Sequence, residues 1–364
     1  MGKTVTATDF KSVVSAANRQ LGNNRRNRVV GGSQGEPVRF ELYHSGPSLC
    51  SHKVRTVLAE KEIAYRSHDM NIMPDGKAIP ENYRPSYVRM RLLGQQSEGF
   101  VTGYTGESSV SGQGLDPCVV PTLVDHEKER VVVDSTRICE YLESELDSGT
   151  KLIPDGMYDA IVEQDGIVDR APHVAVLYGA NPDGDFRPPG LATNLVGVQQ
   201  RKIRALKAMF DQLDPADPLI EAYRSKISKE TGSERFVHDA DSMRQAYADM
   251  SAHADALEKQ LGTHSGAWVF GDQFTMADVM WTVSLYRVYW LGLGETLTAE
   301  SGRPRVARYV ERAFKRPSFL FAVVNWPFGY SPSPHVPEMN TPGFKLKFLA
   351  TILGRRSWRE ALFG

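Results

Sequence analysis

The hydrophobic pattern of the first third of the chain indicates short strands that alternate with helices. An apolar strand at residues 38–43 precedes a helix at 53–60. Two runs rich in β-branched residues, 119–125 and 130–133, flank a polar turn and predict a β-hairpin. The helix that follows carries apolar side chains on one face, namely Ile138, Tyr141, Leu142 and Leu146. This order of strand, helix, strand, helix, hairpin and helix predicts an α/β domain of the thioredoxin-like type over about residues 37–150.

The pattern changes to a helical period in the second half of the chain. Apolar residues recur at helical spacing as far as about residue 328, which predicts an all-α domain at 151–328. Within it, Thr275 and Asp278 have the spacing of a capping box at the start of a helix. Phe274 and Val279 flank the same point as a hydrophobic staple. The predicted fold class is therefore α/β followed by all-α.

Three segments fall outside this pattern. Residues 1–36 are polar and predict a flexible N-terminal arm. An insert at about 90–117, rich in Gly, Ser and Gln, is too long for an ordinary connection and is either a functional lid or disordered. Its return to the region of Pro121 favours the lid. Residues 329–364 predict a proline-containing linker and a basic amphipathic tail, which suits either peripheral membrane contact or packing against protein.

Composition excludes several classes of function. A formal net charge of −1 and a pI near 6.8 give no electrostatic basis for binding nucleic acid. Three cysteines without paired spacing argue against a disulfide framework and for a reducing compartment. We find no Cys/His spacing typical of a metal site and no run of about 18 apolar residues. The sequence therefore predicts a cytoplasmic protein without a metal.

The clearest candidate chemistry is the Ser-Leu-Cys-Ser run at residues 48–51. It lies between the first strand and the following helix, so Ser48 and Cys50 occupy the first helical turn. Unpaired N–H groups and the helix dipole favour an anion there, and the pKa of a thiol in that position tends to fall. The alternative is that Ser48 only caps the helix and Cys50 is a small core residue.

Several motifs together resemble the glutathione transferases. These are the run at 48–51, the Val-Pro-Thr-Leu-Val run at 120–124, Asp134-Ser135 before a helix, and the capping motif at 270–279. The likeness extends over about residues 40–326. Within that family the chain is similar to the glutathione-dependent reductive dehalogenases of chlorinated hydroquinones. The segments that carry this narrower likeness are 48–55, 87–89, 119–121, 172–185, 277–283 and 316–319, together with the long insert.

The resemblance implies that glutathione is a co-substrate, and it indicates the groups that bind it. Ser135 and the N–H groups at the start of its helix would receive the γ-glutamyl carboxylate. Asp134 would pair with the ammonium group or hold the turn. The backbone of Val120, beside a Pro121 bond that is a candidate for the cis form, would pair with the cysteinyl part like an added strand. The alternative is that these residues are only caps and turns.

The resemblance also implies a reaction. Ser48 matches the serine that donates a hydrogen bond to the glutathione thiolate, and Cys50 matches the cysteine that distinguishes the dehalogenases. Glutathione thiolate displaces chloride from a halogenated hydroquinone or a related phenol such as a halogentisate. Cys50 then attacks the sulfur of the conjugate, and a second glutathione resolves the resulting mixed disulfide.

The acceptor, a halogenated aromatic small molecule, is expected in a pocket between the two domains. The preferred wall residues are His44, His173, Tyr178 and Arg287. Arg187, Trp281 and Tyr286 are further candidates. Trp281 and Tyr286 are more typical of a core, because their helix has apolar neighbours all round. Cys139 lies on an apolar helix face and indicates core, whereas the role of Cys118 is open.

Two other classes of function stay open. The same fold supports glutathione-dependent aryl-ether cleavage, isomerisation of a maleyl-type acid, or thioltransfer, and isomerases of this type also carry Ser-x-Cys. A non-catalytic ligand-binding protein is the least consistent with a retained Ser48 and Cys50. A homodimer is expected by analogy with the family.

Overall fold

The computed structural model describes residues 7–21, 26–74, 78–95, 99–106, 114–298, 302–330, 333 and 335–336. Residues 337–364, which include the predicted basic tail, lie outside them, so contact of the tail with a membrane stays a prediction. None of the helices in the described ranges is both long and apolar enough to cross a membrane.

A five-stranded sheet forms the centre of the first domain. Its strands are β1 (Arg28–Val30), β2 (Phe40–His44), β3 (Tyr65–Asp69), β4 (Thr122–Asp125) and β5 (Arg130–Val133). Their order is β1-β3-β2-β4-β5, with β2 and β3 parallel and the other pairs antiparallel. The hairpin predicted from the sequence joins β4 to β5.

Helices cover both faces of this sheet. They are α1 (Ala7–Leu21), α2 (Leu49–Glu60), α3 (Pro85–Leu92) and α4 (Ser135–Glu145). Because side chains alternate along a strand, Phe40 and Leu42 of β2 join the core beneath α2 and α4, while Tyr43 joins the core beneath α1 and α3. The predicted thioredoxin-like fold class is confirmed.

The prediction of a flexible arm at residues 1–36 is wrong for the part that the structure describes. Helix α1 buries Phe10, Val14, Ala17 and Leu21, which recur at spacings of three and four residues and form one apolar stripe. Strand β1 then pairs with β3 and extends the sheet by one strand. The segment is polar on average, but one face of α1 is apolar and buried.

The second domain is helical, as predicted. Its helices are α5 (Tyr158–Arg170), α6 (His173–Tyr178), α7 (Pro189–Leu195), α8 (Val198–Phe210), α9 (Leu219–His238), α10 (Ala240–Leu261), α11 (Met276–Trp290), α12 (Gly294–Leu297), α13 (Pro304–Ala313) and α14 (Pro317–Phe319), followed by a π-helical turn at Leu320–Val324.

Helix α11 is the central helix of this domain, because all of its residues except Tyr289 are buried. Its capping box is present as predicted: Thr275 N and Oγ1 donate to Asp278 Oδ2 at 2.9 and 3.0 Å. The cap fixes where α11 begins, and therefore where its last turn, with Arg287, meets the first domain.

The end of the second domain returns to the first. Trp326 Nε1 donates to Asp69 Oδ2 at 2.8 Å, and Arg55 Nε donates to the Ala322 carbonyl at 2.8 Å. The side chains of Asp69, Arg55 and Trp326 in this contact are buried. Ala322, which is also buried, takes part through its backbone carbonyl. The two domains therefore present fixed walls to the space between them.

Two of the predicted irregular segments pack against the protein. In the described part of the insert, Val101 accepts a hydrogen bond from Ser225 Oγ at 2.6 Å, and the Tyr104 ring lies edge-on to Phe236, both partners belonging to α9. At the other end, Tyr330 is buried in the part predicted to be a linker. The rest of the insert lies outside the described residues, so its role as a lid stays a prediction.

Candidate active site

A cavity of about 410 Å³ lies between the two domains. Of the residues proposed from the sequence, nine line it: Ser48, Cys50, Val120, Pro121, Asp134, Ser135, His173, Tyr178 and Arg287. The cavity thus brings together residues from distant parts of the chain. Of the four preferred wall residues, it leaves out His44.

The loop before Ser48 is fixed by contacts from several directions. Gly46 N donates to Asp69 Oδ1 at 2.8 Å, and Arg55 Nη2 donates to the Gly46 carbonyl at 3.0 Å. Arg287 Nη2, from α11, donates to the Pro47 carbonyl at 3.0 Å. Both domains therefore position Ser48, which reduces the rearrangement needed before it acts.

Ser48 is the N-cap of α2, as the simpler interpretation of the sequence also predicted. Its Oγ accepts a hydrogen bond from Ser51 N at 3.3 Å. That contact uses an acceptor position of the hydroxyl and leaves its proton available, because a serine hydroxyl has one donor and two lone pairs. Ser48 can therefore cap the helix and donate to a thiolate at the same time.

Cys50 lies in the first turn of α2 as a free thiol that is partly exposed. One turn further on, Lys53 Nζ lies 2.5 Å from Asp169 Oδ1 of α5, and both side chains are buried. Burial alone would lower the pKa of Lys53, but Asp169 and Cys50 together raise it. Lys53 therefore places a persistent positive charge near the Cys50 end of the cavity.

The opposite wall of the first domain is held by Arg91, which the sequence analysis missed. Arg91 is fully buried on α3. Its Nη1 donates to the Pro121 carbonyl at 2.7 Å, and its Nη2 lies 3.3 Å from Asp134 Oδ1. The Val120–Pro121 peptide bond is cis, as the sequence suggested. No local motif marks Arg91, because its partners are distant in the chain.

Asp134 and Ser135 open helix α4 at this wall. Asp134 adopts a φ of +73° and is paired with Arg91 and, at 3.6 Å, with Arg137 Nη1. These contacts match the alternative in which Asp134 holds the turn. Ser135 is 1% exposed, and its Oγ has no hydrogen-bond partner among the described residues. A buried, unpartnered hydroxyl beside the free N–H groups of a helix N-terminus fits a carboxylate ligand.

The second domain supplies the remaining walls. His173 is buried, and burial, followed by His253, keeps its pKa well below the usual value, so this imidazole is neutral. Its Nε2 lies 2.9 Å from Ser284 Oγ. Tyr178 OH accepts a hydrogen bond from Lys202 Nζ at 2.8 Å. These contacts place one neutral ring and one hydroxyl at the acceptor side of the cavity.

Tyr330 is a second residue that the sequence analysis missed at the site. Its ring stacks on Trp290 with centroids 4.3 Å apart, and its hydroxyl accepts a hydrogen bond from Arg287 Nε. Both rings line the cavity. The proline-rich surroundings of Tyr330 gave no periodicity from which its burial could have been predicted.

The prediction that His44 contacts the substrate is wrong. His44 ends β2 and is fully buried outside the cavity lining, with Nε2 2.8 Å from Ser67 Oγ and Nδ1 3.1 Å from Arg55 Nη1. Its ring packs edge-on against Trp326. Burial, with the charge of Arg55, lowers its pKa well below the usual value. His44 therefore supports the contact between the domains.

Of the other residues considered from the sequence, Cys118 lines the cavity and the rest lie outside it. Trp281 and Tyr286 are core residues, as their surroundings indicated. Arg187 forms an ion pair with Asp185, with 2.8 Å between Nη2 and Oδ2, and does not line the cavity. Cys139 is fully buried, as predicted. Cys118 is also buried but lines the cavity, and burial raises the pKa of its thiol well above the usual value.

Two protein-family models match the chain. The model of the glutathione S-transferase N-terminal domain matches residues 47–145, and that of the C-terminal domain matches residues 240–312. The first match contains Ser48, Cys50 and Ser135. The second contains Arg287 and the capping box of α11.

Named relatives share most of the chain. A 2,5-dichlorohydroquinone reductive dechlorinase from Sphingobium indicum is 43% identical over 300 residues, which cover 82% of this chain and 86% of that protein. A tetrachloro-p-hydroquinone reductive dehalogenase from Sphingobium chlorophenolicum is 26% identical over 298 residues, 79% of this chain and 98% of that protein.

A solved structure shares the fold. The beta-etherase LigF from Sphingobium sp. strain SYK-6 superposes with a TM-score of 0.51, covering 78% of this chain and 98% of that chain at 15% identity. At this identity the likeness concerns the fold alone. From the two family-model matches and the 43% identity over most of its length, the chain belongs to the glutathione S-transferase family.

Proposed function

We propose that the protein is a glutathione-dependent reductive dehalogenase of a chlorinated hydroquinone or a related halogenated phenol. The observation that carries the proposal is that Ser48, Cys50 and the unpartnered Ser135 Oγ line one cavity between the domains. The name of the 43% identical relative, a dichlorohydroquinone reductive dechlorinase, supports the choice of substrate class.

The first step uses glutathione as nucleophile. The Ser48 hydroxyl, whose proton is not used in capping α2, donates to the glutathione sulfur and favours its ionised form. The thiolate adds to a ketonised chlorinated ring, forms a carbon–sulfur bond and expels chloride. Ser135 and the α4 N-terminus hold the γ-glutamyl carboxylate, and the backbone of Val120 pairs with the cysteinyl part.

The second step uses Cys50. Its thiolate attacks the sulfur of the aryl conjugate, so a sulfur–sulfur bond forms as the carbon–sulfur bond breaks. The electron pair left on the ring takes up a proton. A second glutathione thiolate then attacks the Cys50–glutathione disulfide and restores Cys50. In sum, one aryl chloride and two glutathiones give one arene, one glutathione disulfide, one chloride and one proton.

The test separates the two steps. With glutathione and 2,5-dichlorohydroquinone under anaerobic conditions, we expect chloride, dechlorinated hydroquinone and glutathione disulfide in equal amounts. We expect Cys50→Ser to release chloride but accumulate the aryl–glutathione conjugate, because the second nucleophile is missing. Ser48→Ala should slow chloride release itself by about tenfold or more, the value of a hydrogen bond to a charged group. Intact mass should show a glutathione-sized adduct on the wild type during turnover.

The matched control is Cys118→Ser, which makes the same chemical change at a buried thiol of the same cavity. We expect this variant to complete turnover. Complete turnover by Cys50→Ser, or absence of chloride from a wild type that still binds glutathione, would contradict the proposal.

Two expectations about partners stay predictions. The family suggests a homodimer, and the composition of residues 338–364 suggests contact with a membrane surface.

A further inference from the structure

One wall of the cavity carries a line of buried charges that the proposed mechanism does not use. Asp116 Oδ2 lies 3.0 Å from Lys229 Nζ and 2.9 Å from Lys226 Nζ. Lys226 also lies 2.9 Å from Glu230 Oε1, and Glu230 Oε2 lies 3.7 Å from Lys202 Nζ. We refer to Lys229, Asp116, Lys226, Glu230 and Lys202 as the lysine cluster. All five residues line the cavity.

Counting the residues that the structure describes, the lysine cluster has an uncompensated positive charge. Its signs alternate along the line, with three lysines and two carboxylates, so a cation stands at each end. Lys202 and Lys229 each form an ion pair with only one carboxylate among the described residues. Lys202 additionally donates to Tyr178 OH at 2.8 Å, and a hydroxyl does not neutralise it.

This charge lies away from bulk solvent. The side chains of Lys226 and Asp116 are 4% and 0% exposed, and that of Lys229 is 13% exposed. Burial would lower the pKa of Lys226, but Asp116 and Glu230 raise it above its usual value. Burial would likewise lower the pKa of Lys202, but Glu230 and Tyr178 raise it above its usual value. These two lysines stay charged at neutral pH, and a net buried charge is costly without a counter-ion.

The position of the lysine cluster indicates which molecule would supply the counter-ion. Its three lysines lie on α8 and α9, in the stretch between the two segments that match the family models, 47–145 and 240–312. The groups proposed for glutathione, in contrast, belong to the first domain. Tyr178, which lies on the acceptor side, is directly bonded to Lys202.

We propose that the lysine cluster binds a carboxylate on the acceptor ring, so that a halogenated dihydroxybenzoate is preferred as substrate over an uncharged hydroquinone. The inference rests on the proposed function for the reaction at the ring. A carboxylate is fully ionised at neutral pH. An unsubstituted phenol has a pKa of about 10, and a chlorinated phenol is more acidic but does not carry a permanent charge. A permanent anion therefore compensates the excess cation, and a neutral ring does not.

The test is equilibrium binding measured by calorimetry, which does not require turnover. The probes are 2,5-dichlorohydroquinone and the same ring with one added carboxylate, under anaerobic conditions and with S-methylglutathione present. We expect the carboxylated ring to bind at least about tenfold more tightly to the wild type, as for one charge-assisted hydrogen bond. Equal affinities for the two rings would overturn the proposal.

The variants test whether the lysine cluster causes this preference. Lys229→Met removes the excess charge and leaves Asp116 paired with Lys226, and we expect the preference to fall to within about threefold. Lys202→Met removes the lysine at the other end of the cluster, and we expect the same fall in preference. It provides a second variant if Lys229→Met does not fold. Lys229→Arg should keep the preference. The matched control is Lys207→Met, an exposed lysine of α8, which should bind both rings like the wild type.

A third experiment distinguishes the acceptor from glutathione, because the glycyl end of glutathione also carries a carboxylate. If Lys229→Met weakens binding of glutathione but not of γ-glutamylcysteine, and the preference between the two rings is unchanged, the cluster holds glutathione and the proposal is wrong. Chloride release is measured separately. Its absence with tight binding of the carboxylated ring would reject the proposed reaction and retain the proposed anion site.

Discussion

Ser135 combines burial with an unused hydrogen-bonding group. Its Oγ has no partner among the described residues, although the side chain is almost completely buried at the cavity wall. A buried polar group without a partner calls for an explanation, and a bound ligand would supply one here. We therefore expect the side chain to contribute little to the stability of the protein and much to the binding of glutathione.

We expect Ser135→Ala to raise the KM for glutathione by about tenfold, the value of a hydrogen bond to a charged group, with the melting temperature unchanged. Steady-state kinetics at varied glutathione and thermal unfolding check both. Ser144→Ala is the matched control, because Ser144 lies on the same helix and its Oγ donates to the Tyr141 carbonyl at 2.9 Å. A large loss of stability in Ser135→Ala, or an unchanged KM, would contradict this role.

Residues at the start of helices could be predicted from the sequence, and residues positioned by the topology could not. Ser48, Cys50 and Ser135 follow strands and open helices, so their surroundings are set by neighbours in the chain. His44 is equally close to that loop, but as the last residue of β2 it joins Arg55 and Trp326 in the contact between the domains. The direction of a side chain at a strand end depends on register, which the sequence pattern alone did not determine.

At the scale of elements, helix α1 shows how an average can mislead. The segment before residue 37 is polar in composition, yet Phe10, Val14, Ala17 and Leu21 of α1 are buried in the core beside the sheet. Only the helical period, not the mean composition, distinguishes a docked amphipathic helix from a flexible arm. The same applies to α8 and α9, whose lysines resemble a solvated face in sequence, although Lys202, Lys226 and Lys229 line the cavity in the structure.

We expect Phe10→Ala to lower the free energy of unfolding by about 3 kcal/mol or more, because the Phe10 ring is buried between α1 and the sheet. Denaturant unfolding measures the change. Ser12→Ala, at an exposed position of the same helix, should stay within about 0.5 kcal/mol of the wild type. Equal stability of the two variants would show that α1 contributes nothing to the folded state.

At the scale of the whole molecule, folding takes up a proton at Asp165. This residue of α5 is buried, and its Oδ1 accepts no hydrogen bond from the described residues. Burial raises the pKa of Asp165 to about 8, with Asp169 and Glu140 also raising it against the opposing effect of Lys53. Since the unfolded carboxyl has a pKa of about 3.9, the folded state binds one more proton than the unfolded state between these values.

The contribution of Asp165 to stability should therefore be fully present below about pH 4 and decline as the pH rises towards about 8. Asp165→Asn cannot titrate and should lack this decline. Between these pH values, we expect the free energy of unfolding of the variant to rise relative to that of the wild type by a few kcal/mol, in order of magnitude. Denaturant unfolding at several pH values measures the difference, and parallel pH profiles for the two proteins would refute the assignment.

The separate origin of the two sides of the cavity has an evolutionary consequence. The proposed glutathione side is built from the segment that matches the N-terminal family model, whereas α8 and α9 lie in the stretch between the two matches. A change of substrate can then arise by replacing this pair of helices while the nucleophiles stay in place. We therefore expect chimaeras between relatives that exchange the α8–α9 region to change the preferred substrate while the reaction itself is retained.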